Sequence, residues 1–216
     1  MLKNLSLATL LTAVFSFQAS AALLVEQYNG FWSSDVNALI TYADNNAATA
    51  SGMFEIIDFT DDPAGFAGAI PGSNPWPSAA AAGVSGTGHS LNNTFFARIT
   101  GQFNTSAADT YYFQTYNDDG VFVFIDGELV INDPFQHGEA RFEGNKFLNA
   151  GTHSVELYFF ENGGEASLEF TVADSSRNFS HWGDSNGPVS LEVSEPASIF
   201  AAALALLGLA RIRRKA

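Results

Sequence analysis

The fold is decided by residues 111–131, which read YYFQTYNDDGVFVFIDGELVI. Aromatic and β-branched residues dominate 111–116 and Val121–Ile125, and runs of that composition and length predict two β-strands. The pair Asp126 and Gly127 separates the second run from a third apolar run at 128–131. An Asp-Gly pair suits the positive φ angles of a two-residue type I′ turn, so the stretch predicts a β-hairpin.

Further strand patterns lie on both sides of this hairpin. Alternating or aromatic-rich segments predict strands at 23–28, 54–59, 93–103, 152–160 and 166–172. Residues 63–88 are rich in Gly, Pro, Ala and Ser and predict a long irregular loop, and no segment predicts an internal helix. We therefore expect one all-β domain over 22–174, an antiparallel β-sandwich or barrel, followed by a polar spacer at 175–193.

The N-terminal end predicts a secretory signal peptide over residues 1–21. Lys3 precedes an apolar run at 5–17, and the small residues Ala-Ser-Ala follow at 19–21, which is the order of a cleavable leader. We therefore expect the chain to be exported across the inner membrane and to begin at Ala22 after cleavage.

The C-terminal residues 194–216 form a second sorting element. They contain Glu195-Pro196, a 14-residue apolar run at 197–210 and the basic residues Arg211, Arg213 and Arg214. A helix of that length spans about 21 Å, less than the ~30 Å of hydrocarbon in a bilayer. The order resembles the bacterial PEP-CTERM signal, with Ser194 in place of the usual Pro. The resemblance implies a short transmembrane helix, transient inner-membrane association and processing by an exosortase; a plain tail anchor is the alternative.

Charge distinguishes the predicted mature region from its ends. Residues 22–195 contain only four of the nine Lys and Arg residues but all 23 Asp and Glu, a formal charge of −19. Such a surface repels nucleic acid and anionic lipid and attracts cations. Calcium is the expected counter-ion for an exported acidic protein, although a halophilic habit gives the same bias. Because the chain has no cysteine, core packing, metal binding or both must hold the domain together.

Five sequence blocks in one order resemble the protective-antigen-type β-domain, or PA14 domain, found in bacterial toxins, glycosidases and yeast flocculins. The blocks are FNTSAADTYYF at 103–113, NDDGV at 117–121, FIDG at 124–127, LNAGTH at 148–153 and YFFENGG at 158–164. With the opening strand, the resemblance covers about 22–174. It implies an antiparallel β-sandwich.

The resemblance also implies a function for the Asp-Asp pair. In sugar-binding members of the family a cis peptide joins these two residues, which implies that Asp118 and Asp119 bind calcium and, through it, vicinal hydroxyls of a glycan. A second loop would add Asn162 as a ligand, with Asp174 and Asp184 as further candidates. The predicted cofactor is therefore calcium.

Structural alternatives stay open for each of these residues. In family members without sugar activity, the Asp-Asp-Gly motif implies only that Asp119 caps a turn and that Gly120 supplies a permissive backbone. Asp126 fits a turn residue better than a ligand. Trp76, in a Pro-Trp-Pro setting, is the candidate for stacking on a sugar ring, and burial in the core is its alternative.

Catalytic motifs have little support in the sequence. The four His residues are scattered, without the spacing of a zinc hydrolase. The one Gly-x-Ser-x-Gly match, GDSNG at 183–187, lies in the predicted polar spacer and not between a predicted strand and a predicted helix, as a nucleophile elbow would. We predict a non-enzymatic, calcium-dependent carbohydrate-binding, adhesion or extracellular-matrix protein at the cell surface or in the matrix, with a glycan or exopolysaccharide and an exosortase as partners. A purely structural envelope or biofilm-matrix protein is the alternative, followed by a small glycoside hydrolase.

Overall fold

The computed structural model describes residues 22–61, 68–70, 74–83, 94–184 and 186–192. Outside these residues lie the predicted leader, parts of the predicted loop at 63–88 and the predicted sorting signal with Glu195, Pro196, Arg211, Arg213 and Arg214. Within the described ranges, no helix is long and apolar enough to cross a membrane.

The described residues are dominated by β-strands. The strands are Leu23–Asn29 (β1), Ala50–Phe54 (β2), Asp58–Thr60 (β3), Phe95–Thr105 (β4), Asp109–Asp118 (β5), Val121–Ile125 (β6), Glu128–Asp133 (β7), Ala140–Leu148 (β8), Gly151–Glu161 (β9), Ser167–Ala173 (β10), Ser180–His181 (β11) and Val189–Leu191 (β12). Two helices, Val36–Asn45 (α1) and Pro77–Ala81 (α2), accompany them.

The strands form two antiparallel sheets. The first has the order β2-β1-β4-β9-β6-β7, with β12 also paired to β4. The second has the order β11-β10-β5-β8, with β3 also paired to β10. This arrangement confirms the predicted all-β antiparallel sandwich.

Aromatic side chains fill the space between the sheets. Fully buried rings include Phe59, Trp76, Phe113, Phe159 and Trp182. Each such side chain contributes about 1.5–3 kcal/mol relative to an exposed one, so the core supplies the stability that disulfides provide in many exported domains.

The predicted hairpin between β6 and β7 is confirmed. Asp126 and Gly127 have φ angles of 51° and 74°, the left-handed conformation that a two-residue turn of this kind requires. The carboxylate of Asp126 accepts from the N–H of Ser154 at 2.9 Å and lies 2.7 Å from Nδ1 of His153. Asp126 is therefore a turn residue that also ties the hairpin to β9.

Three sequence predictions need correction. Neither helix was expected. In α1, Asp35 caps the first turn, and Leu39 and Ala43, four residues apart, are buried on one face. The helix α2 lies within the predicted irregular loop at 63–88 and begins at Pro77. The single strand predicted at 54–59 is two strands, β2 and β3, which belong to different sheets. The polar segment predicted as a spacer contributes β11, β12 and the buried Trp182, because its few apolar residues complete the core.

Candidate metal and glycan site

The Asp-Asp pair lies at the sharp connection between β5 and β6. The Asp118–Asp119 peptide bond is cis, as the family resemblance implies. Gly120 follows, and a Cβ atom there would lie 2.6 Å from the carbonyl oxygen of Asp133 and would also overlap the ring of Phe160. Because only glycine tolerates this approach, the backbone after Asp119 is fixed between β7 and β9.

Glu161, the last residue of β9, joins the two aspartates in one cluster. Carboxylate oxygens of Asp118, Asp119 and Glu161 all lie within 4.8 Å of one another. Asp119 and Glu161 are 6% and 0% exposed, and Asp118 is half-buried. Three carboxylates this close repel one another unless protons or a cation neutralise them.

Asp119 accepts hydrogen bonds from both loops beside the cluster. One loop follows β7 and contains His137, and the other follows β9 and contains Asn162. Its Oδ1 accepts from the backbone N–H of His137 at 2.9 Å, and its Oδ2 accepts from the backbone N–H of Asn162 at 3.0 Å. Its carbonyl oxygen accepts from Nδ2 of Asn117 at 2.7 Å. Each carboxylate oxygen retains a second lone pair, so Asp119 is oriented and still able to bind a cation.

Asp133 organises the loop that carries His137. Its fully buried carboxylate accepts from Nδ2 of Asn117 at 2.7 Å and lies 2.8 Å from Nε2 of His137. Burial lowers the pKa of His137, but hydrogen bonds to the carbonyl of Gly138 and to Asp133 outweigh it and raise the pKa. The loop and the end of β5 are therefore linked through one side chain.

Two carboxyl groups of the cluster hold their protons more tightly than usual. Burial and then the charge of Asp119 raise the pKa of Asp118 to about 6. The same causes raise the pKa of Glu161 to about 8, although the N–H of Gly163 donates to its Oε1 at 2.6 Å. The other oxygen of Glu161, Oε2, is buried and has no hydrogen-bond partner among the described residues. A hard cation fits this donor set, because it would neutralise the charges and supply the missing partner.

Of the three other predicted ligands, the structure places one at the cluster and two away from it. Asn162 lies at the cluster, where its N–H holds Asp119 and its side-chain Nδ2 donates to Oε1 of Gln136 at 3.0 Å. Its Oδ1 stays a predicted ligand. Asp174 follows the opposite end of β10, and Asp184 lines a separate pocket of about 420 Å³, so neither lies at the cluster.

The prediction that Trp76 is an exposed sugar platform is wrong. Its ring is fully buried and stacks on Phe59 and Phe159, each with centroids 4.9 Å away. Its Nε1 donates to the carbonyl of Ala166 at 3.4 Å. The flanking prolines start α2 against the core and do not present the indole to solvent.

Sequence reasoning missed two residues at this end of the sandwich. The signal that could have identified Glu161 is an acidic residue directly before Asn-Gly-Gly at a strand end. Phe135 was readable as the one aromatic residue in the polar run 132–139. It is 68% exposed, and its N–H lies 3.4 Å from Oδ1 of Asp133, in the same loop as the His137 N–H that bonds Asp119.

Comparison with known proteins agrees with this geometry. The family model of the PA14 domain matches residues 83–178. No curated protein matches the chain.

Solved structures share the fold at low sequence identity. A PA14 sugar-binding domain from an RTX adhesin has a TM-score of 0.56 at 21% identity and covers 76% of this chain and 96% of its own. The PA14 domain of the MpAFP antifreeze protein gives 0.55 at 16%, covering 81% and 93%. The epithelial adhesin 9 A domain from Candida glabrata, in complex with Galβ1-4GlcNAc, gives 0.55 at 12%, covering 82% and 92%. These likenesses establish the fold.

Proposed function

We propose that this chain is a non-enzymatic, exported member of the PA14 family that binds calcium at Asp118, Asp119 and Glu161 and uses the bound ion to hold an extracellular glycan. Its role would be adhesion or matrix attachment at the cell surface. The similar folds of an adhesin sugar-binding domain and of an adhesin domain in complex with a disaccharide support a glycan as ligand.

One observation carries the proposal. The carboxylate oxygens of these three residues converge within 4.8 Å, and the buried Oε2 of Glu161 has no partner in the described part of the chain. Calcium accepts six to eight oxygen ligands in flexible geometry, so three carboxylates leave positions for water or for sugar hydroxyls. Asp118 is partly exposed, so an ion bound there would have a face open to a glycan.

The surroundings of the cluster suit a sugar. The side-chain amides of Asn162 and Gln136 are close enough to bond each other, and both can bond hydroxyls. Phe135 adds an exposed aromatic face in the same loop as His137. Sugar sites combine such polar groups with an aromatic platform for the C–H face of the ring.

The test is a calcium titration of the full chain followed by a glycan array with calcium or with chelator. We expect Asp119→Asn to abolish calcium-dependent glycan binding, whereas Glu165→Gln should leave it unchanged. Glu165 is exposed and only four residues from Glu161, so its substitution removes a charge without removing a ligand. Glycan binding that persists in chelator, or that survives Asp119→Asn, would contradict the proposal.

The two other functions lead to different results. A purely structural matrix protein folds normally and binds no glycan on the array. A glycoside hydrolase requires a carboxyl group that reaches the glycosidic oxygen, and the carboxyl with the highest pKa in the cluster, Glu161, is fully buried. Turnover of chromogenic glycosides would overturn the non-enzymatic assignment.

Export and sorting rest on the terminal sequences. The leader at 1–21 and the order of Glu195, Pro196, the apolar run and the basic end support processing by an exosortase after transient inner-membrane association. A double substitution, Glu195→Ala with Pro196→Ala, should leave the unprocessed chain in the membrane fraction. An immunoblot in which this variant is processed like the wild type would contradict this part of the proposal.

A further inference from the structure

A second pair of acidic residues lies on the outer face of the second sheet. Asp58 on β3 and Glu169 on β10 are direct cross-strand partners. Their neighbours Phe59 and Leu168 belong to the core, so the two acids face the opposite way. Both are nevertheless 0% exposed. Like charges placed directly opposite on adjacent strands are unfavourable unless something compensates them.

Glu169 is compensated by the backbone at 68–70. Its Oε1 accepts from the N–H of Ala69 at 3.2 Å and its Oε2 from the N–H of Ile70 at 2.7 Å. Gly68 lies so close that a Cβ atom there would be 2.6 Å from either carboxylate oxygen. The two N–H donors favour the ionised carboxylate of Glu169, and the glycine permits their close approach, although burial still raises the pKa of Glu169.

Asp58 has no such compensation. Both of its carboxylate oxygens are buried, and neither has a hydrogen-bond partner in the ranges that the structure describes. Salt bridges of the described Lys and Arg side chains go to Glu26, Asp44, Glu128 and Glu143, so none of them neutralises Asp58. Buried carboxylates in proteins are paired with donors or coordinate a metal.

We propose that Asp58 and Glu169 hold a second hard divalent cation, with calcium as the natural candidate. Glu169 keeps a free lone pair on each oxygen after accepting its N–H bonds, and Asp58 has all of its lone pairs available. Water can fill the remaining positions of an ion that tolerates irregular coordination. The site is separate from the Asp118 cluster. Asp118 pairs with Ser167, which lies two residues before Glu169 on β10.

Glu139 extends the negative field around this second site. Its Oε2 accepts from the N–H of Gly68 at 3.1 Å and from Oγ of Ser167 at 3.0 Å. Glu139 therefore holds Gly68, which lies against Glu169, and Ser167, the cross-strand partner of Asp118. A cation at Asp58 and Glu169 would stabilise the packing of 68–70 against β10 without taking part in glycan binding.

The test is the calcium stoichiometry of the metal-stripped full chain, measured by isothermal titration and by terbium luminescence. We expect two equivalents for the wild type, one for Asp58→Asn and one for Asp119→Asn. The Asp58→Asn variant should retain calcium-dependent glycan binding, and Glu165→Gln should still bind two equivalents. Glu169→Gln provides a second variant that should also lose one equivalent.

The outcomes separate this site from the proposed glycan site. Two results would overturn the second site and make Asp58 a neutral carboxylic acid. In the first, the wild type binds one equivalent and Asp58→Asn leaves that number unchanged. In the second, Asp58→Asn and Glu169→Gln both retain two equivalents. Loss of one equivalent in Asp58→Asn together with no glycan binding by the wild type would support the second site while refuting the proposed function.

Discussion

The backbone N–H of Asn162 donates to Oδ2 of Asp119 at 3.0 Å, and this bond joins the two loops around the carboxylate cluster at one side chain. The N–H of His137 donates to the other oxygen of the same carboxylate. Asp119 therefore has a structural role in addition to its proposed role as a calcium ligand. Different substitutions separate the two roles.

Replacing Asp119 with Ala should destabilise the calcium-free protein. Two backbone N–H groups lose their acceptor, and each partly buried donor left unpaired costs about 1–3 kcal/mol. We expect the free energy of unfolding to fall by about 2–4 kcal/mol in urea denaturation. Asp119→Asn keeps one acceptor oxygen and should lose about half as much. Equal stability of Asp119→Ala and wild type in chelator would mean that these bonds contribute nothing.

Gly120→Ala should disrupt the connection between β5 and β6. The added methyl group would overlap the Phe160 ring and the carbonyl of Asp133, and backbone atoms cannot rotate away as a flexible side chain would. We expect a loss of about 3 kcal/mol or more in thermal or urea unfolding. Gly138→Ala is the matched control: a Cβ there has nothing within 4 Å, so its stability should stay within about 0.5 kcal/mol of wild type.

The sequence was sufficient to predict the strands of the sandwich from local signals, and the family resemblance implied the cis bond between Asp118 and Asp119. Alternating or continuous apolar runs identified β4, β6 and β9, and Asp126-Gly127 identified the hairpin. These patterns depend on residues that are neighbours in sequence, so no tertiary information was needed.

Residues that depend on long-range packing were not predictable in the same way. Glu161 joins Asp118 and Asp119 only because β9 lies beside β6 in the first sheet, an arrangement that no local pattern contains. Trp76 had the flanking prolines of an exposed loop, but contacts with Phe59 and Phe159 decide its burial. Exposure of a large aromatic is a property of the tertiary fold and not of its dipeptide context.

The calcium-free protein should lose stability as the pH rises from about 4.5 to 8. Burial, followed by the charge of Glu169, raises the pKa of Asp58 to about 7, and the pKa values of Asp118 and Glu161 are about 6 and 8. In this window the unfolded chain has released protons that the folded chain still holds, so rising pH favours unfolding. Added calcium should flatten the dependence, as measured by thermal melting at several pH values.

Asp58→Asn isolates one part of this dependence. In calcium-free buffer the variant and the wild type should be equally stable near pH 4.5, where Asp58 is protonated. At pH 8 the variant should be more stable by on the order of 2 kcal/mol, because it lacks the buried charge. Parallel curves for the two proteins across the whole range would show that Asp58 titrates normally.

Phe135→Ala should weaken glycan binding without changing the fold or the calcium affinity. The ring is 68% exposed, so its removal leaves no cavity, and the stability should stay within about 0.5 kcal/mol of wild type. Loss of an aromatic platform worth about 1.4 kcal/mol would raise the glycan Kd about tenfold. Phe147→Ala is the control, since Phe147 is 62% exposed near the opposite end of β8 from the cluster. An equal loss of glycan affinity in both variants, or none in Phe135→Ala, would mean that the sugar is held by the ion and polar groups without stacking on Phe135.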